Sequence, residues 1–304
     1  MCPISLTARR RTAAPQAPAR KTAVVTGAAS GLGRALSLRL TAAGWQVALA
    51  DLDESGLRQT LAMVQASGGE AIAEQLDVTD AQAWRELEQR LRRHWTKLDL
   101  LVNNAGVSCA GEVGTCELED WQWILDVNLC GVIYGCHTFV PWLKENLHGA
   151  HIVNVASVAA FASAPAMGPY NVAKAGVVSL SETLYAELHR DGVGVTCVCP
   201  GFFATNLLAG GRFTDDRQKQ LADAYMQRAR ITADDVADAI VRAIRRKQLY
   251  VILPARARLL WRLKRWMPRT LLKLIAKGYA RHVDRSPGGA GAERQPTPSQ
   301  TTGI

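Results

Sequence analysis

Thr22-Ala23-Val24-Val25-Thr26-Gly27-Ala28-Ala29-Ser30-Gly31-Leu32-Gly33-Arg34 is the stretch from which the fold can be read. Thr22 to Thr26 has the compact, β-branched character of a strand buried on both faces, and a glycine-rich turn follows it. Residues 34–43 then carry a helical pattern that Gly44 closes. Glycines at a strand-to-helix junction let backbone N–H groups approach an anion such as a pyrophosphate, and the helix N-terminus turns its partial positive charge toward it. A tight turn needs glycine whether or not it binds anything, so the surrounding pattern must decide.

Outward from this stretch the alternation continues. Strands are predicted at 46–50, 71–76, 98–103, 151–156, 193–198 and 249–253, with helices at 54–65 and 81–95 and long helices before and between the fifth and sixth strands. Apolar strands alternating with helices give an α/β fold, a doubly wound parallel sheet of Rossmann type with about seven strands and helices on both faces. One domain, 22–254, carries it. The chain of 304 residues, 48% of them hydrophobic, can bury a sizeable core.

The net charge of +9 is unevenly spread. Residues 1–21 hold five cations and no acid, and residues 255–283 hold nine and no acid, whereas residues 22–254 hold 20 basic and 25 acidic residues. With an acidic body and no nucleic-acid-binding motif, no nucleic acid is expected as a partner. Residues 1–21 are read as a basic disordered tail, although a transit segment shares their Arg- and Ala-rich composition. Residues 284–304, rich in Gly, Pro, Ser and Thr, are read as a second disordered tail. The seven cysteines are odd in number and form no C-x-x-C pair, so neither a disulfide framework nor a metal site is expected, and a reducing, cytoplasmic setting follows. No continuous run of about 18 apolar residues suggests a spanning helix.

Residues 255–283 read as a basic amphipathic helical extension. Leu259, Leu260, Leu263, Trp266 and Met267 fall on one side of a helical wheel and Arg258, Arg262, Lys264 and Arg265 on the other, with Trp261 breaking the pattern. After Pro268, Leu271, Leu272, Leu274, Ile275 and Tyr279 oppose Lys273, Lys277 and Arg281. Such helices suit an anionic membrane surface, which would make the protein peripheral on a membrane. Packing of the apolar side on the domain or on another subunit is the alternative.

Asp51, at the end of the second strand, stands eighteen residues past Gly33, where a carboxylate can accept hydrogen bonds from an adenosine ribose and repel a 2′-phosphate. Its alternative role is a loop acid or helix cap, a job open also to Asp53 or Ser55. Arg34 is the nearby cation that would favour the phosphorylated cofactor; on these electrostatics NAD is preferred to NADP.

The glycine pattern T-G-x-x-x-G-x-G is followed in order by Asp77-Val78, Asn103-Asn104-Ala105-Gly106, Asn128, Ser157, Tyr170-x-x-x-Lys174 and Pro200-Gly201. Together these motifs resemble the short-chain dehydrogenase/reductase family over residues 22–254. The resemblance implies an oxidoreductase moving a hydride between a nicotinamide cofactor and an alcohol or ketone. It implies Tyr170 as general acid/base, Lys174 as the cation that favours its phenolate and holds the nicotinamide ribose, and Ser157 as a second hydrogen-bonding group on the substrate oxygen. Asn128 would hold a water linking Lys174 to solvent. Thr26, Gly27, Ser30, Gly31, Leu32 and Gly33 would cradle the pyrophosphate, and Asp77 and Val78 would contact the adenine. Asn103 and Gly106 would line the adenosine side, while Pro200, Gly201, Phe203 and Thr205 would position the carboxamide. A free tyrosine ionises near pH 10, so the i, i+4 lysine on the same helix face is what suits it to neutral pH.

Residues 206–230 occupy the place of the family's variable substrate lid, and Phe161, Met167, Phe202, Phe203, Leu207 and Leu208 are candidate apolar walls for a retinoid, steroid or long-chain substrate. The family analogy further implies a homo-oligomer. Two rival readings remain, an NADPH-dependent carbonyl reductase and a non-catalytic NAD-binding scaffold or sensor recruited to a membrane.

Overall fold

All seven expected strands are present in one parallel sheet in the computed structural model, which describes residues 20–203, 208 and 210–284. In chain order they are β1 (Thr22–Thr26), β2 (Gln46–Asp51), β3 (Glu70–Gln75), β4 (Leu100–Asn103), β5 (His151–Val155), β6 (Gly194–Pro200) and β7 (Tyr250–Leu253). They lie side by side as β3-β2-β1-β4-β5-β6-β7, so the direction of winding reverses between β1 and β4. That reversal opens a crevice beyond the carboxyl ends of the strands, where ligands of such sheets bind. A short parallel pair, Cys109–Ala110 with Arg212–Phe213, lies apart from the main sheet.

The helices are α1 (Gly31–Ala42), α2 (Glu54–Ala66), α3 (Ala81–Arg92), α4 (Leu118–Lys144), α5 (Ala159–Ala162), α6 (Gly168–Glu187), α7 (Asp216–Gln227), α8 (Ala233–Arg246), α9 (Ala255–Trp266) and α10 (Pro268–Asp284). Successive strand residues serve opposite faces, which explains the unbroken apolar runs. Val24, Leu101 and Ile152 pack with Trp84, Phe139, Trp142 and Val177 on one side. Val25, Val102 and Val153 pack with Leu36, Leu57 and Ile240 on the other. Phe139 is wholly buried between Trp84 and Trp142, at ring-centroid distances of 6.0 and 6.2 Å. Its truncation to alanine would cost about 3–5 kcal/mol.

Three expectations change. α4 is long and apolar enough to cross a membrane by length and composition, although polar residues interrupt its apolar run. Its Val132, Cys136, Phe139, Trp142 and Leu143 are buried in the core. Trp261, which broke the expected stripe, is instead an inner contact of α9: it packs on Tyr250 at 5.5 Å, one turn beyond the buried Ala257. Lys264, placed by the wheel among the solvated cations, donates to Ser163 Oγ at 3.2 Å. The stretches 1–19 and 285–304, read as tails, lie outside the described residues, as do Thr205 and Leu207.

Candidate active site

The glycine-rich turn leaves β1 with Gly27 at φ +66° and Gly31 at φ +49°, backbone conformations that side chains resist. A Cβ on Gly33 would sit 2.0 Å from the Gly27 carbonyl oxygen, so this helix turn closes on the loop only with glycine. Thr26 Oγ1 accepts from the N–H groups of Asn104 and Ala105 at 2.9 and 3.0 Å, while Asn104 Nδ2 donates to the Thr26 carbonyl at 2.8 Å. The end of β4 thus clamps the turn. Ser30 occupies the N-cap of α1 in an extended conformation with its hydroxyl making no cap bond, and the first turn holds no acid. The N–H groups at this helix end are therefore placed for an external anion.

Asp51 closes β2 beside this turn. One oxygen accepts from Ala29 N at 2.9 Å and the other from Asp53 N at 3.0 Å. The cap of α2 is Asp53, which accepts from Ser55 N and Gly56 N, so Asp51 is spared that work. Arg34 is turned toward α2: it donates to Thr60 Oγ1 at 2.9 Å, to Gln59 Oε1 at 3.3 Å and to the Ala29 carbonyl.

Across the crevice, Ser157 follows β5 and accepts from Ala159 N at 3.1 Å. Tyr170 and Lys174 rise from α6, both buried, with Lys174 Nζ 5.9 Å from the Tyr170 ring centroid and donating to the Val155 carbonyl at 3.0 Å. Burial pushes the Tyr170 phenol up to about 12, and the Ser157 side chain draws it back. Burial takes the Lys174 ammonium down to about 8, against the smaller raising influence of Cys197 and Cys199. Each group is thereby held closer to its neutral form, as expected when charge is removed from water.

Asn128 sits wholly buried in a π turn of α4 spanning Asp126–Cys130. Its side chain accepts from Val107 N and donates to Val107 O, both at 2.9 Å. The amide thus fixes the loop after β4, and π turns of this kind recur at functional sites. Gly106, on that loop, permits the approach: a Cβ there would meet Asn128 Oδ1 at 2.8 Å and Lys174 Nζ at 3.4 Å. Asp77 accepts from Thr79 in a local turn, and Val78 joins Thr26, Asn103, Ala105 and Val127 around a narrow recess.

The Asn103 side chain is buried, with Nδ2 donating to Asn154 Oδ1 at 2.9 Å and Oδ1 left without a hydrogen-bond partner, and the residue lines the recess beside Thr26 and Val78. The following Asn104, to which the motif assigns no role, is the residue that clamps the glycine turn. Period-two alternation, which sends neighbouring side chains to opposite faces, is the signal that separates the pair. Pro200 accepts from Val158 N at 2.9 Å, and Gly201 N donates to Leu253 O at 2.7 Å, setting the loop that carries buried Phe203 and exposed Phe202. Met167 packs beside Tyr170, Leu208 is buried, and Phe161 leans on the core instead.

Cys109, Cys116 and Asp120 bring three potential metal-ligating atoms within 4.8 Å of one another, a group the cysteine spacing did not reveal. Burial raises both thiols, and Asp120 is already paired with Arg212 at 2.9 Å, so the set is poorly suited to a cation. The six cysteines among the described residues are free.

The arrangement matches known proteins. A protein of Mycobacterium tuberculosis named "Probable oxidoreductase EphD" is 36% identical over 256 residues, covering 81% of this chain but only 43% of that longer protein. SadH of the same organism, named as an oxidoreductase, is 32% identical over 86% of this chain and 96% of its own length. The crystal structure of a short-chain dehydrogenase/reductase from Burkholderia phymatum in complex with NAD superposes with a TM-score of 0.76 at 33% identity, covering 81% of this chain and 93% of that one. The family model for short chain dehydrogenases matches residues 21–215, from β1 through the glycine turn and the Ser157, Tyr170 and Lys174 cluster to the Arg212 strand, and the chain belongs to that family.

Proposed function

We propose that the protein is a nicotinamide-dependent oxidoreductase acting on a lipophilic alcohol or ketone of retinoid, steroid or long-chain type, with NAD as its cofactor. The observation that carries this reading is the convergence of Ser157, buried Tyr170 and buried Lys174 at the carboxyl edge of the sheet, across the crevice from the glycine turn. The turn, the free N-terminus of α1 and Asp51 fit a dinucleotide: they offer N–H groups to its phosphates and a carboxylate to its ribose. When bound, the nicotinamide supplies or accepts the hydride. Asp51 favours NAD, and Arg34 lends NADP little help because Ala29, Gln59 and Thr60 already hold its guanidinium. The NAD complex of the Burkholderia phymatum protein is consistent with this choice.

The proton moves at Tyr170 Oη, with Ser157 Oγ sharing the substrate oxygen. A phenol held near 12 is protonated at neutral pH, which is the form that donates to a carbonyl. Alcohol oxidation instead needs the phenolate, so its rate should climb with pH while carbonyl reduction falls. Met167, Trp121 and Val107 around Tyr170 support an apolar substrate. Exposed Ile133 on α4 and Val172 and Tyr185 on α6 support a homo-oligomer joined through those helices. The test is a panel of secondary alcohols and ketones assayed with both cofactors at neutral and alkaline pH. Turnover of lipophilic members with NAD or NADH bears out the reading; dinucleotide binding without turnover of any member returns the scaffold alternative.

A further inference from the structure

The geometry points to α9 and α10 as a docking face for an anionic lipid bilayer. α9 has two unlike sides. Ala257 and Trp261 face the domain, and Lys264 reaches Ser163 from that side. Half a turn away around the helix, Leu259 and Trp266 stand 59% and 86% exposed, with Met267 at the elbow also exposed. On α10, Leu272 and Leu274 are exposed as well, on the two flanks of that helix. A tryptophan left almost entirely in water at the bend of two helices loses its apolar contact for no gain to the fold, whereas the headgroup boundary of a bilayer suits its amphipathic ring.

Charge selects the occupant. Residues 255–283 hold nine cations and no acid, and none of the ion pairs among the described residues uses any of them. A second copy of this chain would bring an equally cationic face against them. The acidic body could meet the face in another copy, but it would leave Trp266 against charged surface. An anionic bilayer satisfies both features together, drawing in the cations and taking up the exposed Leu and Trp side chains.

The pair of helices is also fixed relative to the crevice. α9 is tied to Ser163, in the loop between α5 and α6, and Tyr279 of α10 donates to Glu112, in the loop after the Cys109–Ala110 strand. Both loops meet the N-terminal end of α6, where Gly111 N donates to Ala166 O and Ser163 precedes the helix, so docking would hold the Tyr170 end of α6 close to the lipid.

Co-sedimentation of the full chain with phosphatidylcholine vesicles, with and without phosphatidylglycerol, tests the face independently of any turnover. The wild type should sediment with the phosphatidylglycerol vesicles and weaken with salt without being released completely, since the apolar contacts are not screened. Lys273→Glu/Lys277→Glu, at exposed positions, should lower the partition coefficient at least about 10-fold at low salt. Leu259→Ser/Trp266→Ser should remove the binding that persists at higher salt, with dinucleotide affinity unchanged in both variants. The proposal is overturned if the wild type stays in the supernatant, or if both variants sediment as it does. It is equally overturned if light scattering shows that the Leu259→Ser/Trp266→Ser protein loses an oligomer the wild type forms, which would make a second copy the occupant.

Discussion

Tyr170→Phe separates proton transfer from everything else the site does. The ring is 7% exposed and phenylalanine refills its volume, so no cavity forms. The Ser157 hydroxyl keeps Ala159 N at 3.1 Å and the Pro200 carbonyl at 3.5 Å, so the substitution strands no buried partner. The stability cost is then that of one hydrogen bond, about 0.5–1.5 kcal/mol, or a Tm shift of a few degrees at this size. The phosphate cradle lies on β1 and α1, outside the reach of the change, so dinucleotide affinity should stay within a few-fold. Turnover should fall roughly 10²- to 10⁴-fold, which is about 2.7–5.4 kcal/mol of barrier. Steady-state absorbance of the reduced nicotinamide, equilibrium dinucleotide binding and thermal unfolding on the same preparations give all three numbers. Turnover within a few-fold of wild type would refute the role of Tyr170. A loss of turnover matched by loss of dinucleotide affinity would show that the tyrosine positions the cofactor instead.

Gly33→Ala forces a Cβ to within 2.0 Å of the Gly27 carbonyl, and such overpacking typically costs about 1–3 kcal/mol. Displacement of the turn should also raise the dinucleotide Kd, measurable by calorimetry, and unchanged binding would show that the turn is not the cradle. Asp51→Asn removes the charge and keeps only one of the two oxygens that accept from Ala29 N and Asp53 N, so the ratio of kcat/KM for NAD to that for NADP should fall; a wild type that prefers NADP would overturn the cofactor assignment. His151 is buried against Thr196 Oγ1 at 2.8 Å, and burial, helped by the Lys247 charge, lowers its pKa from 6.5 to about 4. The unfolded chain therefore binds this proton first as pH falls, and stability is lost progressively from about pH 6.5 down to about 4. His151→Gln, which cannot titrate, should flatten that part of the Tm profile, and an unaltered acid limb would mean other groups control it.

The parallel sheet and the order of the chemistry along it are written in the residue pattern. Strands buried on both faces must be apolar throughout, as Val24-Val25 and Leu101-Val102 are, and a glycine turn that opens a helix leaves a local signature at Gly27, Gly31 and Gly33. The i, i+4 spacing of Tyr170 and Lys174 likewise guarantees a shared helix face before any tertiary contact is known. The orientations of side chains whose partners are distant in the chain depend instead on how the elements pack. Asn103 and Asn104 are indistinguishable as letters, yet one reaches Asn154 and the other Gly27, because the sheet puts β5 on one flank of β4 and the glycine turn on the other. Asn128 was legible as a site residue, but its hold on Val107 depends on a π turn that no local propensity encodes. Trp261 shows the same limit at the C-terminus: a helical wheel ranks residues by hydrophobicity around one axis, while the side that faces the domain is chosen by Tyr250 on a neighbouring strand.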